Sequence, residues 1–195
     1  VEFRVPSDPM SLLFGSKIAS DYVQVRPGGD LALFSGLAKT ILDKGQIDSD
    51  FIESATEGFD NFKESIQELS WGDIELGSGL SRQEIESVGQ QYIGAQNVVF
   101  GWCMGITHHA HGTASVQSIV NLALLRGMVG KKHAGLLPIR GHSNVQGMGS
   151  MAVTPALKTA VFDRLATEGV SVPTMTGHDT MACIKAAEKN EMDFA

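Results

Sequence analysis

Residues 97–103, Asn-Val-Val-Phe-Gly-Trp-Cys, make one continuous apolar run of strand length, the kind buried on both faces of a parallel sheet. A polar stretch follows, Thr107-His108-His109-Ala110-His111-Gly112. Then Val116, Ile119, Val120, Ala123, Leu124 and Met128 recur at helical spacing until Gly130. Strand, polar loop and long helix form a βα unit, whose loop lies at the ligand-binding edge of an α/β sheet. Residues 136–139 read as a second strand. They run into Arg140-Gly141-His142-Ser143-Asn144-Val145-Gln146-Gly147, a loop with few apolar groups.

The segments on either side are mostly helical. Residues 1–20 have mixed polarity and two prolines and are expected to be loop. A short β-prone run at 22–25 stops at Arg26-Pro27-Gly28-Gly29, and Asp30 stands where a helix N-cap belongs. Leu31, Leu33, Phe34, Leu37, Ile41 and Leu42 follow at helical spacing, and Gly45 ends that helix. Asp48 opens a second helix reaching about Ala55, and Phe59, Phe62, Ile66 and Leu69 mark a third. Ser81 with Glu84 three residues on is a capping box for a helix through Tyr92. Residues 155–168 and 176–190 read as two further helices.

Charge is distributed unevenly. Residues 96–162 hold no Asp or Glu over 67 consecutive positions, in a chain whose formal charge is −7. The stretch carries Arg126, Lys131, Lys132, Arg140 and Lys158 with five of the six histidines, a formal +5, against −9 before it and −3 after it. Anions are held by backbone N–H groups, helix N-termini and a few cations, so this segment is suited to an anionic ligand. Burial accounts for missing carboxylates at 98–100 and 122–125 but not for retained cations. The acidic balance argues against non-specific nucleic-acid binding. No apolar run is long enough to span a bilayer, and Val1-Glu2-Phe3-Arg4 does not open a signal peptide. Two cysteines give no disulfide framework, and a reducing, cytoplasmic setting is expected. The opening Val1 and the strand-like Met192-Asp193-Phe194-Ala195 suggest a piece of a larger protein.

Several groups could carry chemistry. His108, His109 and His111, with His142, could bind a metal, but no carboxylate in the stretch could serve as ligand or partner. Loop histidines donating hydrogen bonds to an anionic or polar ligand fit better. Gly147-Met148-Gly149-Ser150-Met151-Ala152 matches a dinucleotide fingerprint but lacks the strand that should precede it. Cys103 near His108 could be a nucleophile with a base, or a small thiol among apolar neighbours. Arg140, leaving a strand among polar residues, could hold a carboxylate or phosphate through two parallel bonds, or be a surface arginine. Asp30 could cap its helix or accept two N–H bonds from the edge of guanine. Gly28 and Gly29 would then let a base approach the backbone.

Five ordered motifs resemble a known family. They are Gly28-Gly29-Asp30-Leu31-Ala32-Leu33, Thr56-Glu57-Gly58-Phe59, Met104-Gly105-Ile106-Thr107-His108, Asn121-Leu122-Ala123-Leu124-Leu125-Arg126-Gly127, and Arg140 through Gly147. From about residue 10 onward the chain resembles the alpha subunit of molybdopterin-dependent formate dehydrogenases and their relatives, in the dimethyl sulfoxide reductase superfamily. The resemblance implies a bis(molybdopterin guanine dinucleotide) cofactor carrying molybdenum or tungsten. It implies Gly28, Gly29 and Asp30 at the guanine, and Met104, Gly105 and His108 at the cofactor after a central strand. Gly141, Ser143, Asn144, Gln146 and Gly147 join the cofactor contacts. Arg140 matches the arginine that orients formate beside the metal, and His142 would donate or shuttle a proton. His108 stands where the family usually carries glutamine, a departure found among the formate dehydrogenase-like relatives, and His142 stands where formate dehydrogenases proper carry glutamine, an exchange that bears on formate as the substrate.

The resemblance also implies what is not in this sequence. The cysteine motif for a 4Fe–4S cluster, the metal-ligating cysteine or selenocysteine, and the C-terminal barrel have no match here. The expected fold is α/β, three layers, a mostly parallel sheet with helices on both faces. Residues 1–142 would form an incomplete pterin dinucleotide-binding domain, and 143–195 would begin a crossover into a neighbouring cofactor-binding domain. Expected partners are a small anionic substrate such as formate and an electron-transfer partner or subunit, with no nucleic acid and no membrane segment. The competing readings are a non-catalytic nucleotide-binding module and a hydrolase built on His108, His111 and His142.

Overall fold

The structure, a computed structural model, describes residues 2–151, 159–171 and 177–191. In chain order the elements are β1 (Glu2–Phe3), α1 (Pro9–Phe14), β2 (Ser16–Lys17), α2 (Asp30–Asp43), α3 (Ser49–Ala55), α4 (Phe59–Glu68), α5 (Trp71–Ser78) and α6 (Arg82–Gly94). They continue with β3 (Val99–Trp102), α7 (Met104–Thr107), α8 (Gly112–Leu125), β4 (Gly135–Pro138), α9 (Val145–Ser150), α10 (Thr159–Thr167) and α11 (Thr180–Glu188). The chain divides into two compact units, Val1–Ile139 and Arg140–Ala195.

In the first unit β3 and β4 pair in parallel, Val99 opposite Gly135 through Trp102 opposite Pro138, with α8 in the crossover. The chain therefore mixes helices with a small parallel sheet. Phe100 and Leu136 face the helices and pack on the core, and Tyr92 meets Phe100 edge to face, ring centroids 5.4 Å apart. The opposite sheet face carries Val99, Leu137 and Ile139, each more than half exposed. The expectation that this strand is buried on both faces is therefore corrected. Among the described residues, nothing covers its second face.

The central helix is α2, which packs against α4, α5, α6 and α8. Its apolar positions supply Leu33, Leu37, Ala38 and Ile41 to the core, and Gly36 admits close neighbours. A Cβ there would stand 2.9 Å from a methyl of Ile74 and of Ile85. Asp48 caps α3 by accepting from Phe51 N–H at 3.1 Å. The capping box of α6 forms as expected, with Ser81 N–H 2.8 Å from the Glu84 carboxylate. The Ser81 hydroxyl, then its backbone N–H, hold the Glu84 carboxyl below the usual glutamate range. The box is thus complete above that range and is lost as pH falls through the lowered pKa. Ile41 and Ile85 are fully buried. Ile85→Ala should cost about 2–5 kcal/mol in urea unfolding, and a loss below about 1 kcal/mol would mean the site collapses around the smaller side chain.

Other expectations change in detail. Residues 2–17 are not plain loop. β1 and β2 pair antiparallel around α1, and the buried Ser11 hydroxyl accepts from Val5 N–H at 2.9 Å and donates to Phe3 O at 3.3 Å. No strand forms at 22–25, where Val23 and Val25 pack on the core as irregular chain. The N-cap of α2 is Gly29 and not Asp30, which is the first helical residue. Helix α5 went unread because its apolar pattern is short. In the second unit Asn144, in the left-handed region, precedes α9, so Gln146 and Gly147 lie in a helical turn and not in a loop. α10 carries an Arg164–Glu168 ion pair, and Asp179 caps α11. Of the helices expected at 155–168 and 176–190, positions 155–158 and 176 lie outside the described residues.

Candidate functional site

The C-terminal ends of β3 and β4 define one edge of the sheet. At the first, Cys103 is extended and Met104 begins the single turn α7, so the His108 N–H donates to Met104 O at 2.9 Å. Met104 and His108 are four residues apart on that turn and both exposed, which places them on one side. Gly112 is required where α8 starts, because a Cβ there would overlap the carbonyl of Thr107. At the second end, Ile139 N–H donates to Trp102 O at 2.7 Å. The pairing thus runs one residue past β4 and fixes where the chain leaves the sheet, with Arg140 next.

The glycine turn before α2 splits into two roles. Gly28 has φ +79° and open space around its Cβ position, so it keeps the access expected of it. Gly29 does not. A Cβ there would lie 2.6 Å from Gly77 O and 3.0 Å from Ser78 Cα, so Gly29 seats α2 on the end of α5. The same junction is tied by Arg26, whose N–H donates to Ser78 O at 2.8 Å and whose guanidinium donates to Leu76 O at 2.9 Å. Asp30 is half-buried at the first turn, and among the described residues its carboxylate accepts no hydrogen bond.

The helix N-termini differ in how they are capped. α1, α3, α5, α6 and α11 each have an Asp or Ser side chain on their N-termini. α4, α7 and α9 have no side-chain cap, and neither do the two 14-residue helices, α2 with Gly29 and α8 with His111 at the N-cap. Gly112 N–H, the first of α8, donates to His109 O at 3.0 Å, and the other first-turn N–H groups and the positive dipole ends are left for another acceptor. A cavity of about 540 Å³ lies between α2, α4, α5 and α8, and both Gly28 and His111 line it. The structure therefore brings the glycine turn and the histidine loop to one cavity. The sequence offers His111 as a metal ligand or, with the other loop histidines, as a donor to an anionic or polar ligand. The readable signal was the absence of Ser, Thr, Asp or Asn at both caps.

Not every cation of the carboxylate-free stretch serves that edge. At the other end of β3, Arg126 donates to Tyr92 O and, at 3.4 Å, to Ala95 O, its guanidinium 5.1 Å from the Tyr92 ring centroid. Lys131 donates to Gln96 O. Both cations close the C-terminal end of α6, a structural task that their sequence position did not reveal. Burial pushes the Tyr92 phenol up, and its hydroxyl donates to Leu122 O at 2.7 Å.

In the second unit Arg140, Gly141, His142, Ser143, Asn144 and Gln146 are exposed. Gly147 is half-buried, and the side chain of Asn144 folds over it, leaving no room for a Cβ. The Gly147-Met148-Gly149 sequence lies inside α9, not after a strand. Cys103 is half-buried and unpaired. Among the described residues no three His, Cys, Asp or Glu side chains gather as a metal-binding group, and no helix is long and apolar enough to cross a membrane.

The molybdopterin oxidoreductase family model matches residues 7–194. Protein YdeP of Escherichia coli strain K12 is 36% identical over 197 residues, which cover 94% of this chain and 26% of YdeP. Formate dehydrogenase H of the same strain is 32% identical over 140 residues, covering 72% of this chain and 20% of that protein. Among solved structures, acetylene hydratase from Pelobacter acetylenicus covers 60% of this chain and 16% of its own, with TM-score 0.56 and 21% identity, a likeness of fold alone. The chain belongs to the molybdopterin oxidoreductase family. It spans about a quarter of the length of the relatives it matches. Membership implies a molybdenum or tungsten pterin cofactor.

Proposed function

We propose that this chain is a cofactor-binding part of a formate dehydrogenase-like oxidoreductase holding molybdenum or tungsten in a bis(molybdopterin guanine dinucleotide). The observation that carries this reading is the pair of uncapped helix N-termini, α2 and α8, beside the exposed Met104–His108 turn. Such ends suit the diphosphates of a pterin dinucleotide. The donor set fits the group: open backbone at Gly28, an unbonded Asp30 carboxylate for the guanine edge, and Met104, Gly105 and His108 after the strand. From the second unit Gly141, Ser143, Asn144, Gln146 and Gly147 would add polar and backbone contacts.

The bound cofactor would supply the two-electron chemistry, and the protein supplies orientation and electrostatics. Arg140 clamps the carboxylate of a small anionic substrate, formate in the first instance, through its planar fork. His142 holds or releases a proton at its imidazole near that substrate. Residues 143–195 lead toward a second cofactor-binding domain, and the full-length protein provides a third layer over Val99, Leu137 and Ile139. A 4Fe–4S cluster, an electron-transfer partner and a cytoplasmic setting belong to the same proposal.

The test is metal and nucleotide analysis of the complete protein, purified from a host able to make the cofactor. Molybdenum or tungsten with about two GMP released per metal is the expected result. Neither metal nor GMP would overturn the reading and favour a non-catalytic module.

A further inference from the structure

We infer that Gly112 is a positioning residue for the cofactor, holding the Met104–His108 turn in place by letting the Thr107 carbonyl pack against the start of α8. The inference rests on the function proposed above, which reads Met104 and His108 as cofactor contacts, and adds a residue that the motifs did not mark. Gly112 is buried at the first position of α8. It does not adopt the left-handed backbone that would itself demand glycine, and alanine is ordinarily the better residue inside a helix. What excludes alanine is space. A Cβ would lie 2.4 Å from the oxygen, 2.9 Å from the carbonyl carbon and 3.1 Å from the Cα of Thr107.

The atoms that a methyl would strike belong to the turn itself. The Thr107 carbonyl and the His108 N–H are two ends of one planar peptide group, and that N–H donates to Met104 O at 2.9 Å. Rotating the carbonyl away therefore swings the N–H that ties His108 to Met104. Of the two partners, the turn is the one that yields. α7 is four residues long, with Met104, Gly105 and Thr107 exposed and His108 exposed beyond its end. A second bond, Ile106 N–H to Cys103 O at 3.2 Å, closes it, and a single turn carries little stability of its own. α8 is 14 residues long and is anchored by the buried Ser115, Ile119, Leu122, Ala123 and Leu125. Gly112 N–H is also held by His109 O at 3.0 Å. A methyl at 112 thus displaces Met104 and His108 and leaves α8 where it is.

The experiment follows release of guanine nucleotide from the loaded complete protein over time, together with amide hydrogen exchange across residues 104–108. Gly112→Ala should release nucleotide roughly tenfold faster than wild type, the strain of an overpacked contact read as a rate. The Ile106 and His108 amides should exchange faster with it. Gly89→Ala is the control for lost stability alone, since its Cβ would stand 2.8 Å from the methyl of the buried Thr40, where α6 packs on α2. It should unfold at a lower urea concentration yet release nucleotide at the wild-type rate. A mutant cycle shows whether Gly112 acts through the turn. In a background carrying Met104→Ala and His108→Ala, Gly112→Ala should add no more than about twofold. Additive effects, or release from Gly89→Ala as fast as from Gly112→Ala, would overturn the inference and leave the cofactor assignment intact. So would an unchanged release rate, with or without faster amide exchange, because Gly112 would then shape the turn without serving the cofactor. Wild-type protein holding no guanine nucleotide would instead overturn the proposed function, and this inference with it.

Discussion

Arg140→Ala is expected to lower kcat/KM for a carboxylate substrate by about 10²–10⁴-fold while metal and guanine nucleotide content stay unchanged. The size follows from two charge-assisted hydrogen bonds to the bound carboxylate, each about 1.5–3 kcal/mol. The position follows from the sheet. Ile139 N–H is bonded to Trp102 O at 2.7 Å, so the backbone immediately before Arg140 is fixed by strand pairing. Arg140→Lys keeps the charge but replaces the planar fork by a point donor. It should therefore recover only part of the loss, with the deficit falling mainly in KM if the clamp acts equally on ground and transition states. Steady-state kinetics on the loaded protein decide the matter. An alanine variant within about threefold of wild type would remove Arg140 from the substrate site, since one lost ionic hydrogen bond alone exceeds that.

What could be read from the sequence, and what could not, divides along physical lines. The βα unit was legible because residues 97–103 and 116–128 carry unmixed strand and helix signals, and β3, α8 and β4 form in that order. Caps were legible where a side chain makes them: Ser81 with Glu84, and Asp48. Long-range backbone fit was not. Gly29 looked available to a ligand, yet its close neighbours are Gly77 and Ser78, 48 and 49 positions away, and no local pattern encodes such a contact. Arg126 and Lys131 looked like part of an anion site, because local sequence does not show that they face carbonyls at the end of α6. Conversely, the open second face of β3 could not be foreseen from an apolar run that reads as fully buried.

Gly29→Ala should be strongly damaging, lowering both stability and cofactor retention. Its Cβ would stand 2.6 Å from Gly77 O, 3.0 Å from Arg26 O and 3.0 Å from Ser78 Cα. All three are backbone atoms, so no side chain can swing aside, and either α5 or the entry of α2 must move. Overpacking of this kind costs about 1–3 kcal/mol. The displacement would also shift the α2 N-terminus and the Gly28–Asp30 turn, so released guanine nucleotide should fall with it. Gly28→Ala separates the two effects. Nothing lies within 4 Å of its Cβ position, but φ is +79°, so an L-residue costs about 1–2 kcal/mol through backbone strain alone. Urea unfolding and GMP content, measured on both variants, give the comparison. If Gly29→Ala proves no more destabilising than Gly28→Ala, the close seating of α2 on α5 is wrong. If Gly29→Ala destabilises but binds nucleotide normally, the turn belongs to the scaffold and Asp30 loses its assigned place at the guanine.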